Sequence, residues 1–176
     1  MNMISRVITK QQGATLAVTL ILLFVVSLLG VSAMHVTQMQ EKMSSNLQDK
    51  ELSFNAAESA LMAGEEWLLG LTTQPPVVTT CSSFPCVQTV FQNTDITTQD
   101  SSWWVSNAAA YNNNLENINT SPRYIIEFLE FIPDSQVIGD SSIKSTGVFY
   151  YQITARGTGA SDDSVSILQT TLGRRF

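Results

Sequence analysis

From Ala14 to Met34 every residue is apolar, small or hydroxylated, and no Asp, Glu, Lys or Arg stands between Lys10 and Glu41. A helix of about 20 apolar residues, rising about 1.5 Å per residue, crosses a hydrocarbon core about 30 Å thick. The pattern therefore predicts a membrane-spanning helix over 14–34. Arg6 and Lys10 lie on its N-terminal side, and the positive-inside bias places that end in the cytoplasm and the remainder outside. A secretory signal peptide would have a shorter apolar region ending at a small-x-small site. Here Gly30 and Ala33 lie within the run and helical patterning continues beyond it. The small residue that precedes the run is Gly13, which points to processing on the cytoplasmic side.

Beyond Met34 the pattern becomes amphipathic without a break. Val36, Met39, Met43, Leu47, Phe54, Ala57, Leu61 and Leu68 recur at steps of three, four or seven, the period of one helical face. Proline is absent before Pro75, so one helix over 15–69 is expected, roughly 80 Å long at 1.5 Å per residue. The stripe from Phe54 onward is expected to pack on a globular domain, and Val36 to Leu47 on neighbouring subunits. Pro75 and Pro76 stop the helix.

From Leu71 the texture changes to Thr, Ser, Asn and Gln with few charges. Residues 100–113 read as a short helix started by Asp100 or Ser101, with one of Trp103 and Trp104 buried and the other partly so. Strand patterns follow over 123–132, 147–156 and 164–172. The second alternates Val148, Tyr150, Gln152 and Thr154 against Phe149, Tyr151, Ile153 and Ala155, as a half-buried strand does. Pro133-Asp134 and 157–163 are the turns between them. These elements give an α+β fold in which the long helix packs on an antiparallel sheet of three or more strands.

Chemistry is sparse. His35, the single histidine, sits at the membrane edge and cannot join a triad outside the bilayer. No glycine-rich phosphate loop is present, and Asp162-Asp163 lacks the spacing of an EF-hand, leaving a solvated turn as the alternative to a calcium site. No enzyme activity, cofactor or metal is expected. Cys81 and Cys86 are the only cysteines. In an oxidising compartment so close a pair reads as a local disulfide, whereas a redox pair has two intervening residues and zinc needs more ligands.

A basic leader, a glycine and a hydrophobic helix together resemble a type IV pilin precursor. The stretches Gln12-Gly13-Ala14-Thr15-Leu16, Gln40 to Lys50 and Phe54 to Glu65 are similar to the N-terminal region of the PilX minor pilins. Tyr151 to Gly159 and Val165 to Thr171 resemble the closing strands of that family. The resemblance implies a type IV pilin fold divided into a leader (1–13), a transmembrane N-terminal helix (14–34), its amphipathic continuation (35–70) and a periplasmic globular head (71–176). It implies cleavage after Gly13 by a prepilin peptidase and N-methylation of Ala14. Loss of 1–13 removes Arg6 and Lys10 and leaves seven basic residues against fifteen acidic, a charge of −8. Such a surface does not suit nucleic acid, whose phosphates need clustered Lys and Arg.

One position departs from the pilin pattern. The fifth residue of the mature chain, usually glutamate, is Val18. A carboxylate in hydrocarbon costs several kcal/mol unless paired, and in major pilins it finds a neighbour's N-terminal amine. A subunit at the tip has no neighbour above it to pair with. The implied function is a minor pilin that primes pilus assembly, sits at or near the tip with other minor pilins and a large tip adhesin, and supports twitching motility and adhesion. The major pilin and an inner-membrane assembly platform complete the implied partners. The implied route runs from the inner membrane to an extracellular pilus. The alternative is a K-type minor pseudopilin of type II secretion, which also lacks the glutamate but usually carries a much larger inserted domain.

Overall fold

A computed structural model describes residues 14–91, 94–112, 115–134 and 146–176. Helix α1 (Ala14–Gly70) is unbroken over 57 residues, and the chain divides within it into two compact units, Met1–Ser45 and Asn46–Phe176. In the first unit every described residue is exposed.

The second unit is a sheet covered by the last part of α1. Its short strands are β1 (Val77–Val78), β2 (Val87–Thr89) and β3 (Ala109–Ala110), and its long ones β4 (Arg123–Pro133), β5 (Gly147–Thr158) and β6 (Val165–Arg174). Among the described residues the sheet has six strands in the order β1-β2-β4-β5-β6, with β3 also on β4. The three long strands are antiparallel, as their alternation predicts, but Pro133, Gly157 and Thr158, expected in turns, continue the strands and pair with Gly147, Ser166 and Val165. The sheet as a whole is mixed, because β1 pairs β2 and β2 pairs β4 in parallel. Two- and three-residue strands are too short to carry an alternation, so sequence patterning does not reach them.

The face of α1 that meets the sheet is made of small residues. Ser53, Ala56, Ala57, Ala60, Gly64 and Leu68 are buried, over a core that includes Tyr124, Ile126, Tyr151, Ile153 and Ala155. Phe54, expected on this face, is instead exposed. The apolar stripe misassigns it because the helix lies too close to the sheet for a ring. A Cβ on Gly64 would come within 2.9 Å of both Ile153 and Tyr124, and one on Gly157 of β5 would strike the α1 backbone at Ser53 and Ala57. Leu68 and Ala57 do face the core, and Leu61 packs at its margin.

A bulge keeps the aromatic residues of β4 on one face. Between Phe128 and Glu130 the register slips by one, so Phe128 opposes Tyr151 and Phe131 opposes Phe149. Without the extra residue, positions 128 and 131 would point to opposite sides. Phe149 then stands 4.5 Å from Phe131 and 5.8 Å from Phe176, centroid to centroid.

Polar contacts fix α1 at both ends of the β5–β6 hairpin. Asp49 accepts from Ala160 N at 2.5 Å and from the backbone and hydroxyl of Ser161. Lys50 donates to the Val165 carbonyl, and the Ser53 and Ser166 hydroxyls lie 2.7 Å apart. At the far end α1 has no basic residue in its last turn. Arg174 of β6 takes that place, donating to the carbonyls of Leu68 in the last turn and of Leu71 just beyond it, where a helix lacks intrahelical donors.

Candidate functional site

The N-terminal unit presents one kind of surface. A window of α1 reaches a mean hydropathy of 2.7 with none of it buried, so the helix is long and apolar enough to cross a membrane. Three of its hydroxyl groups are satisfied internally. Thr19, Ser27 and Thr37 donate to the carbonyls of Leu16, Leu23 and Ala33 at 2.8–3.0 Å. Such back-bonding removes the penalty of carrying hydroxyls into hydrocarbon. Large side chains such as Leu16, Leu23 and Leu29 are exposed, so this surface requires lipid or other helices to cover it. Val18 stands in the first turns beside Ala14, Thr15 and Thr19, with no carboxylate in the first turn. Ala14 is the first described residue, and Gly13, the expected cleavage position, lies outside the described residues.

In the second unit Cys81 and Cys86 are joined by a disulfide, their Cα atoms 6.1 Å apart. The bonded loop borders an open cavity of about 370 Å³ with Trp67, Leu71, Pro75, Pro76 and Val87. Phe84 projects from the loop, 40% exposed. Behind it Gln88 is buried, and its amide donates to Cys81 Sγ at 3.0 Å and to the Asn107 carbonyl at 3.0 Å. The disulfide loop is thereby tied to helix α2 (Ser101–Asn107).

Helix α2 is short and capped at both ends. Asp100 accepts from Trp103 N at 2.8 Å and Ser102 Oγ at 2.9 Å. The Trp103 N–H, then the Ser102 hydroxyl, hold its carboxyl below the usual range. Arg123 donates to the Ala108 carbonyl at 3.1 Å, placing a cation at the negative end of the helix. Arg156 donates to Ser101 Oγ at 3.0 Å. Trp104 is fully buried against Ile125 and Ala108, while Trp103 is partly covered and meets Phe91 edge-on. The two tryptophans are thus core and margin, as the sequence suggests, not an exposed binding pair.

The titratable groups are spread apart. Glu127 is buried, accepts from Phe91 N at 2.9 Å, and is pushed above the usual glutamate range by burial. Asp49 is held low, first by the Ser161 hydroxyl. Among the described residues no three His, Cys, Asp or Glu side chains cluster. His35 is exposed on the N-terminal unit, and Asp162 and Asp163 are exposed in the β5–β6 turn. Sequence reading passes over Asp49, Gln88, Glu127 and Arg174. Glu127 carries a faint signal, a polar residue inside a strand pattern. The other three carry none.

No curated protein and no solved structure matches the chain. Two family comparisons do match: residues 12–61 match the family described as PilX N-terminal, and residues 70–174 that described as type IV pilus assembly protein PilX C-term. Together they span the exposed helix, the disulfide loop and the closing hairpin. The chain belongs to the PilX family and is a minor pilin of type IV pili.

Proposed function

We propose that this minor pilin primes pilus assembly and sits at or near the filament tip, beside other minor pilins and a large tip adhesin. Val18 is the observation that carries the reading. The position at which pilins usually bear glutamate is an exposed valine here, so the helix leaves the bilayer with no carboxylate needing a neighbour's amine. Such a subunit can be extracted first, with later ones added beneath it. The family is one of structural pilus components, and the reading assigns this chain no catalysis. It places the N-terminus in the cytoplasm and the head in the periplasm before assembly, then the subunit in an extracellular pilus with the major pilin. The assembly platform acts in extraction.

Processing belongs to the same proposal: a prepilin peptidase cuts after Gly13 and methylates Ala14. N-terminal sequencing should find methylated Ala14, and a start near Ala33 would instead indicate an ordinary signal peptide. Deletion of the gene should sharply reduce surface pili and twitching while leaving major pilin levels intact. Normal piliation and motility in that strain would end the priming reading and favour a secretion or accessory adhesion role.

A further inference from the structure

Between Glu51 and Leu69 the side of α1 turned away from the sheet carries Glu51, Phe54, Glu58, Met62, Glu65 and Leu69. Phe54, Met62 and Leu69 are 47%, 62% and 56% exposed. The three glutamates recur every seven residues, so they stand roughly 10.5 Å apart along one side of the helix. None takes part in an ion pair among the described residues, where the one salt bridge joins Arg175 and Asp134. No Lys or Arg occurs from Glu51 to Pro122.

We infer that this face docks a basic helix face of a different filament subunit, whose Lys or Arg side chains recur at the same seven-residue step. The inference rests on the pilus reading and names the chemistry of one neighbour. Charge selects the occupant. Lys and Arg have apolar stems and charged heads, so one row of them covers Phe54, Met62 and Leu69 while reaching the glutamates between. Helix α1 of a second copy does not supply that row: its only cations are Lys42 and Lys50, eight residues apart, and Lys50 already donates to the Val165 carbonyl. Two copies meeting here would set glutamate against glutamate, which repels. The neighbour is therefore heterotypic.

The test places a photo-crosslinking residue at Met62 of the full-length chain, co-expressed in cells with the other pilins of its system. The expected product is a covalent pair with one other pilin. E51K/E58K/E65K should lower its yield by about tenfold or more, and E51Q/E58Q/E65Q should fall between. Changing the facing Lys or Arg residues of the captured pilin to Glu should restore the yield with the triple-Lys chain. The three glutamates make no hydrogen bond or ion pair among the described residues, so the melting temperature of the purified variant should match wild type. Should the triple-Lys chain melt early, E58K alone is read in the same way. A pair formed with a second copy, no pair at all, or a yield indifferent to the three charges overturns the inference. Pili that vanish on gene deletion while the triple-Lys chain still cross-links normally would sink this inference and leave the priming role standing. Normal pili after deletion would sink the priming role, while the cross-link would still report on this face.

Discussion

At Gly157 the sheet touches the helix backbone, and even one methyl group has nowhere to go. A Cβ there would strike Ala57 N and Ser53 O, atoms that cannot swing aside as a side chain can. G157A should therefore destabilise the head by at least about 1–3 kcal/mol, the usual range for overpacking, measured as a shift in urea midpoint. Glu127 gives a prediction with a sign. Burial raises its pKa, so the folded state holds this proton more tightly than the unfolded chain does. Its contribution to stability is full below the ordinary glutamate range and is lost as pH rises through the folded value. The wild-type melting temperature minus that of E127Q should fall as pH moves from acidic to neutral, and a flat difference would refute the assignment. Asp49 and Asp100 run the other way. Their pKa values are lowered, so what they contribute is present at neutral pH and disappears as pH falls through those lowered values. The capping role of Asp100 is legible in the sequence, because a cap acts on its own chain neighbours; the others are not, because each depends on what lies across the sheet or helix from the residue.

Elements were easier to read than contacts. The long helix and the three long strands follow from periodicity, and the start of α2 from Asp100 before a helical run. But α2 stops at Asn107 and not at 113, because Ala109–Ala110 pair with β4, and Pro133, Gly157 and Thr158 lie in paired strands and not in turns. What periodicity cannot give is which side of an amphipathic helix is buried when the buried side is built from alanine, glycine and serine. Hydrophobic size pointed to Phe54, while closeness of approach selected Ala56 and Ala60 beside the expected Ala57. Replacing Ala60 by Leu should consequently destabilise the head by about 1–3 kcal/mol although it adds apolar surface, whereas Phe54→Ala, lying outside the core, should change the melting temperature little. The disulfide was legible from spacing and compartment. Its loop is short, so Cys81→Ser should cost about 2 kcal/mol on loop entropy. It should also loosen α2, since Gln88 joins Cys81 Sγ to the Asn107 carbonyl. Hydrogen exchange should quicken at 101–107 as well as within the loop, and a change confined to the loop would rule out that coupling.

At the scale of the whole molecule, the division of labour is plain in the charge and apolar patterns. One unit is an uncovered apolar helix and the other an acidic head with a disulfide-closed loop. Installing glutamate at Val18 tests whether the first unit's lack of a carboxylate matters. V18E should leave head folding unchanged, and under the priming reading it should reduce surface pili less than removal of 14–34, which would detach the subunit altogether. If V18E proved as severe as that removal, membrane insertion rather than partner choice would govern the position. The two ties between α1 and β6, at Lys50 and Ser53 near one end and at Arg174 near the other, have a mechanical meaning. With the helix fastened to one strand at both ends, a lengthwise pull loads the two fastenings together in shear, and neither can open alone as a zipper would. Severing the Arg174 tie with R174A should thus lower the force at which the head unravels in a single-molecule pull by more than it lowers the melting temperature would suggest.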